Sequence, residues 1–314
     1  MREAYDLLPE SIAELFRGWS EERLRKVEEI RVRLNRKLEV VAGRETIYPL
    51  HGNVPYRVTK EDVRQLTNKL SRYSLYAFEE ELKRGYVTIS GGHRVGLAGK
   101  VITENGKVKR IRDICSFNIR IAKQKIGAAD ACLPYVNENG WLNTIIIGPP
   151  LTGKTTLLRD LARIISSGDA RRLLRPAKIG IVDERSEIAG CLNGVPQHDL
   201  GERVDVLDAC PKAEGMMMLI RSMSPEVIVV DEIGGAEDVA AVREAVNAGV
   251  KLMITAHAEN WDSLRRRPSL EPLLASGVFE RCIVLAHRAK PGVIDTILDG
   301  KGREVRRQQK VTVR

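Results

Sequence analysis

Ile145-Ile146-Ile147-Gly148-Pro149-Pro150-Leu151-Thr152-Gly153-Lys154-Thr155-Thr156-Leu157-Leu158-Arg159 decides the fold. Three β-branched apolar residues open the stretch, as in a strand buried on both faces. A prolyl and glycyl turn follows, and then a helical pattern. Gly148-x-x-x-x-Gly153-Lys154-Thr155, set between a strand and a helix, meets the demands of a phosphate-binding loop. Glycines let backbone N–H groups converge on phosphate oxygens without a Cβ in the way. The helix that follows points its positive end at the anion. Lys154 is a mobile point charge for β- and γ-phosphates, and the Thr155 hydroxyl is a hard oxygen ligand for a divalent cation. The expected nucleotide-binding set is Gly148, Pro149, Pro150, Leu151, Thr152, Gly153, Lys154, Thr155 and Thr156. ATP and Mg2+ are the expected cofactors.

Outward from this loop the chain alternates strand and helix. Ile145–Ile147, Ile179–Val182, Val227–Val230 and Leu252–Thr255 are short apolar runs, and helical patterns cover 153–167, 213–223 and 236–248. The alternation predicts a mostly parallel sheet flanked by helices. Three of the strands end in polar groups besides the loop itself: Asp183-Glu184-Arg185, Asp231-Glu232, and Thr255-Ala256-His257. In open α/β sheets, ligands bind beyond the C-terminal ends of strands. Asp231 is therefore expected in the Mg2+ shell, and Glu232 can polarise a water for in-line attack on the γ-phosphate. Asp183 and Glu184 have a plainer reading as turn-capping acids beside Arg185, and His257 as a structural histidine.

The front half follows another grammar. Helical spacing runs through residues 1–29, with Ser20 as an N-cap before Glu21 and Glu22. Ile30, Val32 and Leu34 alternate with charged residues as a half-buried strand, and Leu38, Val40 and Val41 suggest its hairpin partner. Thr59 opens a helix through Leu70, and Leu75 to Lys83 reads as another, stopped by Gly85. Further strands are expected at 86–90, 108–111 and 117–121, around a glycine-punctuated stretch from Gly91 to Gly99. The prediction is a small α+β domain over 1–135 and an α/β phosphate-loop domain over 136–314, the latter ending in a basic tail.

Charge is uneven along the 314 residues. The net of +9 divides into +8 over 1–135, −4 over 136–300 and +5 over 301–314. A basic front half suits nucleic acid, acidic head groups or an acidic neighbouring subunit. Five cysteines without paired spacing read as reduced thiols of a cytosolic protein. No stretch approaches the roughly 18 apolar residues of a membrane helix, and the acidic start lacks a secretory core.

The phosphate loop, the acidic strand end at Asp183-Glu184, the second at Asp231-Glu232 and the histidine at 257, in that order, resemble the secretion ATPase superfamily of type II and type IV machines. Glu28-Glu-Ile-Arg-Val-Arg-Leu34, Ser90-Gly-Gly-His-Arg-Val-Gly-Leu-Ala-Gly99 and Ser116-Phe-Asn-Ile-Arg-Ile-Ala122 resemble its branch in endospore-forming bacteria. The resemblance implies a RecA-like motor behind a smaller N-terminal domain, in a homo-oligomeric ring of six. It implies Glu184 as the water-activating carboxylate, Glu232 in the Mg2+ site and His257 as a γ-phosphate sensor. It also implies a cytosolic motor on a membrane-embedded channel or secretion platform between mother cell and forespore, held to the membrane through partners. The superfamily often has Gly-Glu where this chain has Asp231-Glu232, so the division of labour between Glu184 and Glu232 stays open, with Glu184 favoured as base. A ring also needs positive charge at its subunit boundary. Arg112 or Arg120 is the expected donor in trans, with Arg94, Arg110 and Arg203 as other candidates. The alternative is a nucleic-acid-stimulated RecA-like translocase, disfavoured because aromatics are 4% and single-strand binders usually add stacking platforms. A nucleotide-gated scaffold and a small-molecule kinase are the remaining readings.

Overall fold

The computed structural model describes residues 2–43, 45–71, 85–104, 106–286 and 291–305. The predicted helix at Leu75 to Lys83 and the tail beyond residue 305 lie outside these. The chain forms two compact units: Met1–Lys123 with Gly190–Gln197, and Gln124–Ala189 with His198–Arg314. Residues 124–135, read from the sequence as part of the first domain, cluster with the second unit. They are held there because the Ala129 N–H donates to the buried Asp160 carboxylate at 2.9 Å, and Ala129, Cys132 and Leu133 are buried.

The first unit is built on an antiparallel sheet. Its strands are β1 (Val27–Arg33), β2 (Glu39–Ala42), β3 (Glu45–Ile47), β6 (Tyr86–Ile89), β7 (His93–Glu104) and β8 (Lys107–Arg120), in the order β3-β2-β1-β8-β7-β6. Two short strands, β4 (Leu50–His51) and β5 (Val54–Pro55), pair apart from it. The helix capped by the Ser20 hydroxyl ends at Lys26, earlier than the spacing of Val27 and Ile30 suggests. A register shift between Val27 and Glu29 explains the difference. The extra residue of a bulge puts Val27 and Ile30, three apart, on one buried face. The two short strands expected at 108–111 and 117–121 are one strand, β8, and the glycine-rich stretch before them is its partner β7. Their ladder shifts register after Ala98, where Asp113 has φ 46°. A Cβ at Gly99 would lie 2.5 Å from the Arg112 carbonyl oxygen, so only glycine lets the strands close there.

One buried carboxylate organises the helix Lys60–Ser71. Asp62 accepts from the Thr59 N–H (2.7 Å), the Thr59 and Tyr56 hydroxyls (2.8 Å each) and the Ser11 hydroxyl, while the Thr59 hydroxyl accepts the Asp62 N–H. This reciprocal cap ties the helix start to the N-terminal segment. Leu66 and Leu70 then pack with Ile12, Ile30, Val95 and Phe117 in one core.

The second unit holds a seven-stranded sheet: β9 (Thr144–Ile147), β10 (Ile179–Asp183), β11 (Val204–Asp208), β12 (Val227–Val230), β13 (Lys251–Ala256), β14 (Arg281–Leu285) and β15 (Ile294–Asp299). The order is β11-β10-β12-β13-β9-β14-β15, parallel throughout except for β15. The four strands legible in the sequence, β10, β12, β13 and β9, are adjacent. Helices Lys154–Ser167, Lys212–Ser222 and Ala236–Asn247 flank them. All five cysteines are free thiols. No helix among the described residues is long and apolar enough to cross a membrane.

Two predictions follow from the first unit. Asp62→Ala, which removes the buried acceptor shared by four donors, is expected to lower unfolding free energy by about 3 kcal/mol in urea titration. His93 is buried and burial pushes its imidazole down to about 4. A folded value below the unfolded one of about 6.5 means its contribution is present above pH 6.5 and is lost as pH falls through 4. Stability between these pH values should therefore fall more steeply in the native chain than in His93→Gln.

Candidate active site

The C-terminal ends of β9, β13, β12 and β10 converge on the loop 148–153. Gly153 holds φ 94° and N-caps the helix Lys154–Ser167. A Cβ there would sit 2.8 Å from the Gly292 backbone nitrogen, and that nitrogen donates to the Thr152 carbonyl at 2.8 Å. The Thr152 hydroxyl donates to the Pro149 carbonyl (2.8 Å), closing the turn, and Leu151 stands at its exposed tip with φ 64°. Thr155 and Thr156 lie half-buried in the first helical turn.

Lys154 is buried, and its three N–H donors go to the Gly148 carbonyl (2.9 Å), the Pro149 carbonyl (3.0 Å) and Nδ1 of His257 (3.1 Å). Burial lowers its ammonium below the usual lysine value, against the opposing pull of Asp231 and Glu232. Because His257 Nδ1 faces an ammonium, it is the acceptor, and the proton belongs on Nε2. That nitrogen faces Glu232 Oε1 at 2.8 Å. The other oxygen of Glu232 accepts from Arg185 at 2.7 Å. One chain of polar contacts thus runs Lys154–His257–Glu232–Arg185, from the loop across three strand ends.

Asp231 sits beside this chain. Its two oxygens accept from the Thr155 hydroxyl (2.6 Å) and the Thr255 hydroxyl, while Thr255 accepts the Glu232 N–H at 2.8 Å. Glu232 has φ 57°, a conformation uncommon for a residue with a side chain, held by that bond and by the Ile233 N–H to the Thr255 carbonyl at 3.0 Å.

The third acidic end divides its labour. Asp183 is buried and turns inward, accepting the N–H groups of Glu187 (2.8 Å), Ile188 (3.0 Å) and Ala189 (2.8 Å). Burial raises its carboxyl to about 6, against those three donors. Arg159, from the helix after the loop, donates to the carbonyls of Glu187 (2.5 Å) and Ile188 (2.7 Å). Asp183 is thus the turn-capping acid of the plainer reading. It frees Glu184 to line a cleft with Arg185, Lys212, Asp231 and Glu232, where Glu184 pairs with Lys212.

The donor set fits a magnesium nucleotide. Among the described residues no cluster of three His, Cys, Asp or Glu side chains could cage a metal by itself. Thr155 and Asp231 supply two adjacent hard oxygens, as suits a cation that keeps waters and takes its remaining ligands from phosphates. The arginines expected from the front half lie in the first unit. Arg112 is exposed on β8 opposite Lys100, and Arg110 is opposite Ile102. Arg120 lies 3.7 Å from Glu29, and Arg94 stacks on Tyr86 at 3.9 Å. Arg203, in the second unit, donates to the Pro176 carbonyl at 3.0 Å. Sequence reasoning placed Thr255 among the strand-end polar groups without a role, and passed over Lys212 and Arg159. Thr255 had a signal, a hydroxyl ending an apolar strand. Arg159 was visible as a charge inside the apolar face of a helix.

The family described as "Sporulation stage III, protein AA" matches over residues 1–305. The chain is 54% identical over 302 residues to Stage III sporulation protein AA of Bacillus subtilis (strain 168), covering 96% of each chain. It is 29% identical over 191 residues to the protein SEEDLING PLASTID DEVELOPMENT 1 of Arabidopsis thaliana, spanning 60% of this chain and 26% of that one. Among solved structures it resembles the ATPase DotB of Yersinia pseudotuberculosis, with TM-score 0.61, 13% identity, and coverage of 94% of this chain and 81% of that one. It also resembles the ADP-bound pilus retraction motor PilT, with TM-score 0.56, 16% identity, and coverage of 84% and 76%. The fold is that of the RecA-like secretion ATPases, as expected from the motif order.

Thr255→Val keeps the shape but removes the donor to Asp231 and the acceptor for the Glu232 N–H, both at a buried site. The expected loss is about 2 kcal/mol of stability in denaturant titration. Thr255→Ser should lose much less.

Proposed function

The chain belongs to the sporulation stage III protein AA family, and from that premise we propose that it is a Mg2+-dependent ATPase, a ring motor of the secretion type. The observation that carries this reading is the pairing of Thr155 with Asp231 at the mouth of a phosphate-binding loop whose lysine contacts His257. In this reading residues 148–156 cradle the phosphates, with backbone N–H groups from every position but Pro149 and Pro150. Lys154 exchanges its loop carbonyls for phosphate oxygens, and Thr155 and Asp231, with Glu232 behind them, hold the cation or its waters. Bound Mg2+ would neutralise charge on the phosphates.

Glu184 serves as the base that polarises the attacking water. Glu232 has both oxygens taken, by His257 and Arg185, whereas Glu184 reaches the same cleft paired through one oxygen to Lys212. A carboxylate oxygen already shared with a cation or an imidazole is a weaker base toward water than one without such a partner. His257 then reports the phosphate. When Lys154 turns to the nucleotide, its bond to Nδ1 is released and the contact to Glu232 changes with it. The motor works as a ring of six, with Arg112 or Arg120 of one copy reaching the nucleotide of the next. It sits in the cytoplasm, against a membrane-embedded channel partner that it energises.

The test is steady-state ATP hydrolysis across protein concentrations, with sizing by light scattering in Mg-ATP. Activity should rise steeply with concentration alongside a six-fold assembly, and Lys154→Ala should abolish it. Glu184→Gln should lower kcat about 100-fold or more while ATP still binds. If Glu232→Gln does this instead, the base is Glu232. Loss of ring-dependent activity on neutralising Arg112 and Arg120 together would support action in trans. Activity indifferent to concentration but raised by single-stranded DNA or RNA would replace the motor by a translocase.

A further inference from the structure

The stretch Ser90-Gly91-Gly92-His93 has no part in the site above, yet it is tied to residues at two of the three places where the chain passes between its units. The first tie is to a strap. After the acidic turn the chain leaves the second unit at Ala189, contributes Gly190–Gln197 to the first, and returns at His198. This strap is short and internally closed. Leu192 and Val195 exchange both backbone hydrogen bonds, at 2.9 and 3.0 Å, across Asn193 (φ 51°) and Gly194 (φ 78°). The Gln197 side-chain amide donates to the Val195 carbonyl at 3.0 Å, and its oxygen accepts the Gly91 N–H at 3.1 Å. Gly91 holds φ 81°, and a Cβ there would crowd the His93 ring at 3.0 Å, so glycine is needed to present that N–H.

The second tie is to the linker. His93 Nδ1 accepts the Ala122 N–H at 2.9 Å, just before the crossing at Lys123 and Gln124. Within the second unit, the linker and the strap's return are bound to each other. The Gln124 side chain donates to the Asp199 carbonyl (2.6 Å) and accepts the Asp199 N–H (3.0 Å). At the strap's outgoing end, Ala189 donates to Asp183 and accepts the His198 N–H at 3.2 Å. The turn that carries Glu184 and Arg185 is therefore continuous with a stiff eight-residue element whose far end is hooked to the Gly91 turn.

We infer that this strap couples the first unit to the acidic turn, with Gln197 as a positioning residue for Glu184. The inference rests on the nucleotide reading of the site. A slack loop of this length would transmit nothing. This one is fixed at both ends and braced in the middle, so a displacement of the Gly91 turn is delivered to residues 183–189, and a change at the nucleotide travels back the same way.

The experiment is hydrogen–deuterium exchange of the full chain with and without Mg-ADP, alongside calorimetric binding of Mg-ADP and ATP hydrolysis. In the native chain, Mg-ADP should slow exchange in both 183–199 and 90–94. In Gln197→Ala the response at 183–189 should remain and that at 90–94 should vanish. kcat should fall about tenfold with KM within about twofold, the size of a typical coupling element. Gln197→Glu keeps an oxygen that accepts the Gly91 N–H but loses the donor to the Val195 carbonyl, so it should restore the response at 90–94 and part of kcat. The strap is overturned if the native chain binds Mg-ADP without a response at 90–94, or if Gln197→Ala keeps that response or its kcat. Failure of the native chain to bind Mg-ADP would instead bring down the nucleotide reading, and the strap with it.

Discussion

The hydrogen bonds of Asp231 to two threonines are the constraint on which the site depends. Thr155 belongs to the helix after the phosphate loop and Thr255 to β13, while Asp231 ends β12. One carboxylate thus fixes the height and direction of three elements. It also decides where Glu232 points, because the hydroxyl that donates to Asp231 accepts the Glu232 N–H and holds that residue at a positive φ. A carboxylate in a low-dielectric setting persists only where donors satisfy it. On the proposed reading, a divalent ion would find the Thr155 and Asp231 oxygens already held side by side.

The parallel sheet was legible because its central strands are buried on both faces. Such strands have no polar alternation and read as unbroken apolar runs, as Ile145–Ile147 and Val227–Val230 do. The edges were not legible. β11 carries Asp205 and Asp208 among half-exposed valines, and β15 carries Asp295, so neither gives a clean run. In the first unit the errors share one cause, the β-bulge. A bulge adds one residue and breaks the two-residue period on which strand reading rests. It made β1 look helical at its start, and at Gly99 and Asp113 it made one strand look like two.

The site was legible as residue types at strand ends, but the sequence could not say which of two adjacent acids faces inward. Asp183 and Asp231 both satisfy backbone or hydroxyl donors, and Glu184 and Glu232 both reach the cleft. The longer side chain extends past the rim, while the shorter one caps a turn at Asp183 and joins neighbouring elements at Asp231. This repeated Asp-Glu order has a physical reason. An aspartate's short stem keeps its oxygens at the rim, where Asp183 meets N–H groups of its own turn and Asp231 meets hydroxyls of two neighbouring elements, while a glutamate's extra methylene carries its charge beyond them.

The two glutamates then differ by neighbours rather than by chain position. Glu232 lies between an imidazole that also contacts the phosphate-loop lysine and a guanidinium on the acidic turn. The contacts of Lys154 with His257, of His257 with Glu232 and of Glu232 with Arg185 lead in sequence to the residue next to Glu184. Arg159 joins the same turn to the phosphate-loop helix by a separate route, through the carbonyls of Glu187 and Ile188. The acidic turn thus receives two connections from the loop and continues directly into residues 190–197. On the proposed nucleotide reading, binding energy gained at the phosphates can move this turn only if its two conformations differ in contacts. The bonds of Lys154 supply that difference, since its three donors cannot serve the loop carbonyls, His257 and a phosphate at once.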